Sequence, residues 1–370
     1  MKNKGLRGIY AGETSICTVG EKSDGLHYRG YDVVDLSENC SFEEVVYLLL
    51  YKKLPNKDEL RKLKSRLKSK RYIPEQLKEV LERIPKSNNP MDVLRTACSF
   101  LGNLEPEKSF DNQFDCSERL LAIFPSVLNY WYHFSHSGVR ISIENSSDSI
   151  AGHFLSILYG REPNEMEEKV MNISLILYAE HEFNASTFAA RVCAATLSDI
   201  YSCITGAIGT LRGPLHGGAN EKAMELISKF DDVESVSKTV YKMLENKELI
   251  MGFGHAVYKK QDPRNEIIKK WSKTLSEDKL NSKLYFISCK IEKIMKEEKN
   301  LFANADFFHA SAYHFMSIPT KLFTPIFVCS RISGWTAHII EQRLDNKLIR
   351  PGAKYVGKDP MSFISLNERS

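Results

Sequence analysis

Two histidines framed by glycine carry the strongest chemical signal in the chain. His216 lies in Gly213-Pro214-Leu215-His216-Gly217-Gly218-Ala219-Asn220, and His255 closes Gly252-Phe253-Gly254-His255, 39 residues later. Glycine tolerates φ > 0 and lets backbone and ligand approach closely, so such framing suits an imidazole that must meet a substrate. Arg264, in Asp262-Pro263-Arg264, follows His255 by nine residues. Its planar fork can hold a carboxylate through two bonds. These residue types at this spacing point to polarisation of carbonyl groups on a small anionic substrate.

Other positions admit two readings. His181 follows the apolar stretch Leu175 to Ala179 and precedes Asn184-Ala185-Ser186-Thr187, as a hydrogen-bonded core imidazole or as a ligand binder. Asp306 interrupts Leu301 to Phe308, either as a helix cap or as a carboxylate whose burial raises its pKa toward a general base. Arg331 sits inside an apolar helical pattern, where an unpaired guanidinium is costly, so it calls for an anion. A structural ion pair and a bound substrate satisfy that need equally. His133 and His136 lack a third ligand at helical spacing and read as packing residues with polar tips, not as a metal site. Phosphate-binding glycine motifs of the P-loop or dinucleotide type are missing.

The elements that position these residues are mostly helical. Ser41-Phe42-Glu43-Glu44 reads as a capping box opening a helix that stops before Pro55. Leu77, Val80, Leu81 and Ile84 form an i, i+3, i+4, i+7 stripe after Pro74. Asp262-Pro263 starts another helix, and 283–299 and 322–344 read as two more. Pro125 is expected to kink or divide the helical segment 120–134. Residues 8–30 hold the few strand signals. At 370 residues, the chain exceeds the size at which one core keeps growing, which favours two domains. We expect an all-α, two-domain architecture with a large domain formed by 1–219 and 323–370 and a small domain over 220–322, hinged at 213–218 and near Pro319 to Pro325.

Composition excludes more than it assigns. The net charge is only +4, too small to argue for nucleic acid. Residues 57–86 hold 11 Lys/Arg against 5 Asp/Glu, which reads as a solvated helical face. Eight scattered cysteines, without C-x-x-C, fit reduced thiols in a cytoplasmic protein. The first residues lead into no apolar core, so no signal peptide is expected. The apolar runs are too short to cross a bilayer.

Taken in order, Leu211 to Asn220, Met251 to Arg264, Ala303 to Phe308 and Phe327 to Arg331 resemble the active-site segments of the citrate synthase family. The resemblance runs from Gly12 to Arg350. Tyr178 to Phe188, Tyr130 to His133 and the tail from Arg350 to Gly357 are most similar to the bacterial 2-methylcitrate synthase branch. The resemblance implies a homodimer of nearly all-α subunits, each with a small domain that closes over oxaloacetate and an acyl-CoA. It implies that His216 donates to the thioester carbonyl, Asp306 removes the α-proton and His255 polarises the keto group. His181, Arg264, Phe327 and Arg331 would hold oxaloacetate, with Arg350 reaching in from the partner subunit. Met251, Gly252, Phe253, Gly254, Lys259 and Asn304 fall at coenzyme A positions. The implied reaction needs no metal or cofactor, since the coenzyme A thioester is a substrate.

That carry-over fits the chemistry. The α-carbon of a thioester is a weak acid, so the developing enolate needs a donor as the base acts, and a neutral His216 near a helix N-terminus supplies one. The expected activity is condensation of propionyl-CoA with oxaloacetate and water to 2-methylcitrate, in propionate catabolism. The alternatives are citrate synthesis from acetyl-CoA in the tricarboxylic acid cycle, dual specificity, or a non-catalytic helical module. Two departures bear on this. Ala256 stands where 2-methylcitrate synthases often carry proline, and Lys259 where some relatives use arginine. The first touches acyl choice, since one methylene is worth only about 1–3 kcal/mol in a pocket.

Overall fold

The computed structural model describes residues 5–6, 8–20, 25–277 and 282–369. Met1 to Lys4 and Arg7, on which the signal-peptide reading partly rests, lie outside the described residues, as does Ser370 at the end of the expected large domain.

A small antiparallel sheet opens the chain, with β1 (Cys17–Val19), β2 (Leu26–Tyr28) and β3 (Tyr31–Asp32) in sequence order. Its register pairs Cys17 with Tyr28 and Tyr28 with Tyr31. Helices follow: α1 (Val33–Asn39), α2 (Phe42–Tyr51), α3 (Lys57–Ser69), α4 (Glu75–Glu82), α5 (Pro90–Leu104), α6 (Gln113–Ser137), α7 (Ile150–Tyr159) and α8 (Glu165–Tyr178). Next come α9 (Ala185–Ala194), α10 (Ile200–Leu211), α11 (Ala219–Ile227), α12 (Glu234–Glu245), α13 (Pro263–Glu277), α14 (Lys283–Lys299), α15 (Ala305–Phe315) and α16 (Phe323–Leu344). The mostly-α expectation holds.

Local signals account for many boundaries. Ser41 and Glu44 form the reciprocal capping box of α2, and Lys52 ends that helix in the left-handed region at φ +66°. Such a turn satisfies helix-terminal carbonyls before Pro55 stops any continuation. α13 begins at Pro263 and α14 spans the expected residues. Of the two outcomes expected at Pro125, division does not occur: α6 runs on through it. Proline removes only one helical N–H bond, and α6 is buried along most of its length against α7, α5 and α16. That packing outweighs the local defect. In the basic stretch, Arg66 and Lys70 turn inward to the buried Glu118, at 2.7 and 3.1 Å, while Arg61 and Lys62 stay exposed beside Asp58.

Helix α16 is the axis of the core. It is buried from Phe323 to Ile340 and touches α2, α5, α6, α8, α9, α10 and α11. Helices α13 and α15 pack on each other, α11 joins α15, and α12 lies on α14. Two seams matter for the site: α8 against α16, and the chain between α12 and α13 against the start of α15. Among the described residues, no helix is long and apolar enough to cross a membrane.

Candidate active site

The loop bearing His255 and the helix bearing Asp306 are joined through their backbones. Gly254 N–H donates to the Phe302 carbonyl at 2.8 Å, and Asn304 N–H donates to the Gly252 carbonyl at 2.9 Å. Phe253 and Ala303 form an isolated antiparallel bridge between them. Gly252 and Gly254 adopt φ of +89° and +72°, a region that disfavours any Cβ. At Gly252 a Cβ would also lie 3.0 Å from Phe307 Cβ. Asn304 then caps α15 by accepting from Asp306 N–H, while its Nδ2 donates to the Gly254 carbonyl, both at 3.1 Å.

His255 is oriented by its own turn. Its Nδ1 accepts N–H bonds from Val257 at 3.0 Å and Tyr258 at 3.2 Å. A backbone N–H can only donate, so Nδ1 carries the lone pair and Nε2 carries the hydrogen. Burial, then the positive charge of Arg264, lowers its pKa to about 4. His181 packs edge-on against it at 5.0 Å between ring centres and meets Tyr258 Oη through Nε2 at 3.2 Å. Burial and Arg264 hold His181 neutral as well.

The opposite nitrogen of His216 is engaged. Its Nε2 faces Ser186, 3.2 Å from the backbone N–H and 2.9 Å from Oγ. That N–H makes Nε2 the acceptor and leaves the hydrogen on Nδ1. Ser186 is itself fixed, donating to Asn184 Oδ1 at 2.8 Å and accepting from Trp335 Nε1 at 3.2 Å. Asn184 is the N-cap of α9. A Cβ on Gly217 would collide with the Leu211 carbonyl, which instead accepts the Gly217 N–H at 2.9 Å. Gly218 caps α11, so His216 does precede a helix start. Burial, followed by the charge of Arg331, lowers its pKa to about 4.

Asp306 lies in the first turn of α15, and Asn304 takes the cap position. Tyr178 Oη donates to Asp306 Oδ1 at 2.7 Å. Burial raises the Asp306 pKa against the opposing pull of that bond, Arg264 and Arg331. Tyr178 is a hub: its ring stacks on Phe327 at 4.3 Å and tilts against His309 at 4.3 Å. Its carbonyl accepts from Arg331 Nε at 2.7 Å.

The two arginines differ. Arg264 is buried, with Nε and Nη2 bound to Asp262 at 3.0 and 2.8 Å. Asp262 also accepts from Ala305 N–H at 3.1 Å. The fork that the sequence offers to a substrate carboxylate is thus engaged with its own neighbour, and Nη1 lies outside that pair. Arg331 is only 1% exposed. Its guanidinium lies over the Phe327 ring at 4.6 Å, and its Nη1 is buried without a partner. No carboxylate makes an ion pair with it among the described residues; the charge of the buried Glu180 acts on it from beyond ion-pair distance. An orphaned buried N–H of a cation fits a carboxylate ligand.

Met251, Phe253 and Asn304 share the bridged loop, with Phe253 against Phe307 at 4.5 Å, and Lys259 is exposed beyond it. Arg350 stands apart: it is exposed at the start of a tail that stays exposed through Phe363. Ser186 and Tyr178 are the groups whose roles the sequence reading missed. The Asn184-x-x-Thr187 pattern is a helix-cap signal that marks where α9 starts but not that Ser186 meets His216. Tyr178 ends an apolar helix and carries no local sign that its hydroxyl meets Asp306.

Two neutral imidazoles with opposite hydrogens, a carboxylate with a raised pKa and buried cations make an arrangement for proton abstraction beside a polarised carbonyl. Residues 5–352 match the family model described as citrate synthase, C-terminal domain. The chain belongs to the citrate synthase family. It is 60% identical to 2-methylcitrate synthase of Shewanella oneidensis, over 99% of this chain and 97% of that protein. It is 45% identical to citrate synthase 2 of Bacillus subtilis, over 99% of each. Among solved structures, the ternary complex of Thermoplasma acidophilum citrate synthase with carboxymethyl coenzyme A and oxaloacetate superposes with a TM-score of 0.92. It shares 33% identity, covering 99% of this chain and 98% of that one.

Proposed function

We propose that this enzyme is a 2-methylcitrate synthase, condensing propionyl-CoA with oxaloacetate and water to give 2-methylcitrate and free coenzyme A. The observation that carries the reading is the 60% identity to the Shewanella enzyme over nearly the full length of both chains. In this reaction Arg331, through its unpartnered Nη1, holds an oxaloacetate carboxylate. His181 and the free edge of Arg264 assist, and Phe327 walls the pocket. His255 donates from Nε2 to the keto oxygen. Asp306 takes the α-proton of the thioester while His216 donates from Nδ1 to the carbonyl that becomes the enolate oxygen. The enolate carbon then attacks the keto carbon, and water hydrolyses the condensed thioester. Each well-aimed donor to such an oxyanion is worth roughly 3–4 kcal/mol.

The residues of 220–322 close as a unit in this scheme, carrying His255, Arg264 and Asp306 toward His216 and bringing the loop 251–254, Lys259 and Asn304 to coenzyme A. Closure protects the starting thioester from water. The working form is a homodimer in which Arg350 of each subunit completes the other's site. Its support is the exposed tail, where Tyr355, Val356, Met361 and Phe363 stay largely open to solvent among the described residues. Mixing Arg350→Ala subunits with Asp306→Asn subunits restores activity if the arginine acts in trans, and leaves the mixture dead if it acts within its own subunit. Eight unpaired cysteines fit a reducing compartment, the cytoplasm.

Acetyl-CoA is the second reading, favoured by the similarity to the Bacillus enzyme and by Gly-His-Ala-Val-Tyr around His255. Thiol release with oxaloacetate and acetyl-, propionyl- or butyryl-CoA separates the two. The methylcitrate assignment expects the highest kcat/KM with propionyl-CoA, and a preference for acetyl-CoA overturns it.

A further inference from the structure

The carbonyl end of α8 is closed by side chains of α16. Ser330 Oγ donates to the Leu175 carbonyl, Arg331 Nε to Tyr178 at 2.7 Å and Ser333 Oγ to Ala179 at 3.5 Å. A helix C-terminus carries partial negative charge, and Glu180, wholly buried, adds a carboxylate to the same seam. A Cβ on Gly334 would collide with both Glu180 Oε2 and the Ala179 carbonyl, so glycine leaves the carboxylate its place. Arg331 precedes Gly334 by three residues, a spacing that puts both on one face of α16. Glu180 thus stands one helical turn along from Arg331, yet it is bound to His338 instead.

A relay of side chains fixes it there. His338 Nε2 meets Glu180 Oε1 at 2.9 Å, and Arg191 Nη1 meets His338 Nδ1 at 3.0 Å. A guanidinium can only donate, so Nδ1 accepts and the hydrogen on Nε2 goes to Glu180. Arg191 also donates to Glu341 at 2.9 Å, and Ser15 binds Glu341 in turn through its N–H and Oγ. Arg191 and Glu341 are therefore matched, which leaves Glu180 and Arg331 as the remaining opposite charges of the cluster. Each keeps an orphan atom: Glu180 Oε2 and Arg331 Nη1 are buried without a hydrogen-bond partner. Burial lowers the Arg331 pKa, and the Glu180 charge is the largest influence opposing it. An uncompensated buried cation is costly, but a direct ion pair would occupy the fork that a ligand needs.

We propose that Glu180 is a positioning residue, the resident counter-charge of Arg331, which His338 tethers short of contact so that Nη1 stays open to an oxaloacetate carboxylate. The proposal rests on oxaloacetate being the ligand of Arg331, as in the function proposed above, and it holds for either acyl-CoA. Removing the charge and removing the tether should act in opposite directions. Without the Glu180 charge, an incoming carboxylate meets less repulsion and binds more tightly. Without the His338 donor, the Glu180 carboxylate is free to turn toward Arg331 and compete with the ligand.

The test is calorimetric titration of the full-length protein with oxaloacetate, with thermal melting as the check on folding. Glu180→Gln keeps the shape and an acceptor for His338, and should lower the oxaloacetate Kd about three- to ten-fold. His338→Phe keeps a ring against Phe183, which the imidazole meets at 5.6 Å, but loses the donor, and should raise the Kd. In the double variant the His338→Phe effect should vanish, since no charge is left to tether. In steady state, both single variants should move KM for oxaloacetate more than kcat. Residues that merely pack would weaken oxaloacetate binding in both variants, in step with lost stability. An unchanged or raised Kd in Glu180→Gln overturns the proposal, as does an unchanged or lowered Kd in His338→Phe, so either variant decides if the other does not fold. A His338→Phe effect that persists in the double variant also overturns it. Wild-type protein that does not bind oxaloacetate at all overturns instead the reading of Arg331's ligand on which the proposal rests.

Discussion

His216 and His255 share a glycine frame and a pKa lowered to about 4, yet they are held in opposite ways. His255 is fixed through Nδ1 by N–H groups two and three residues ahead. His216 is fixed through Nε2 by the backbone N–H of Ser186, 30 residues back on another helix. One imidazole thus presents Nε2–H and the other Nδ1–H. The lesson is that equal motifs do not mean equal tautomers, because the partner of the far nitrogen decides which hydrogen faces the substrate. His255 keeps its setting wherever its turn folds, whereas His216 depends on α9 and α16 being packed correctly.

The largest effect should come from the base that both histidines serve. Asp306→Asn is expected to lower kcat by about 10²–10⁴-fold while oxaloacetate still binds, measured by thiol release and by calorimetry. Near-normal turnover would remove Asp306 from that role and leave the two donors without a common purpose. Replacing each histidine tests their division of labour. His216→Ala and His255→Ala should each cost roughly 10²–10³ in kcat, but only His255→Ala should weaken oxaloacetate binding. Equal loss of oxaloacetate affinity in both would break the comparison. Within the same test, Ser186→Ala keeps the backbone N–H to Nε2 and loses the Oγ link to Asn184 and Trp335 that positions it, so about 1 kcal/mol, roughly five-fold in kcat, is expected.

The smallest change at neutral pH should be Tyr178→Phe. The Tyr178 hydroxyl bond lowers the Asp306 pKa against burial. Its removal raises that pKa further. Asp306 must be ionised to accept a proton, so the acid limb of kcat should move to higher pH, with the plateau little altered. The histidines are neutral down to about 4, so they change no charge near neutral pH. A pH profile that scales uniformly without moving would make Tyr178 a packing residue only.

Much of this site is legible in the linear chain, and the exceptions share a cause. Gly252, Gly254 and Gly217 announce themselves because their reasons are local: a positive φ or a neighbouring carbonyl leaves no room for a Cβ. Arg264 is half legible. Its charge is plain, but its fork is closed by Asp262, which reads first as a helix-start signal. Arg331 shows the reverse. Burial of a cation in an apolar helix predicts an anion, and the fold keeps Glu180 beyond ion-pair distance and leaves Nη1 without a partner.

The linear chain fixes the helices around 41–54, 74–84, 263, 283–299 and 322–344, the Ser41 cap, the glycine frames of His216 and His255 and the residue types of a carbonyl-polarising site, because periodicity, capping and glycine conformation act over a few residues. Only the tertiary structure decided that Ser186 takes His216 Nε2, that Tyr178 donates to Asp306 and that the 252–254 loop is bridged to 302–304. Those contacts join groups 30, 128 and about 50 residues apart, and their geometry follows from how helices pack.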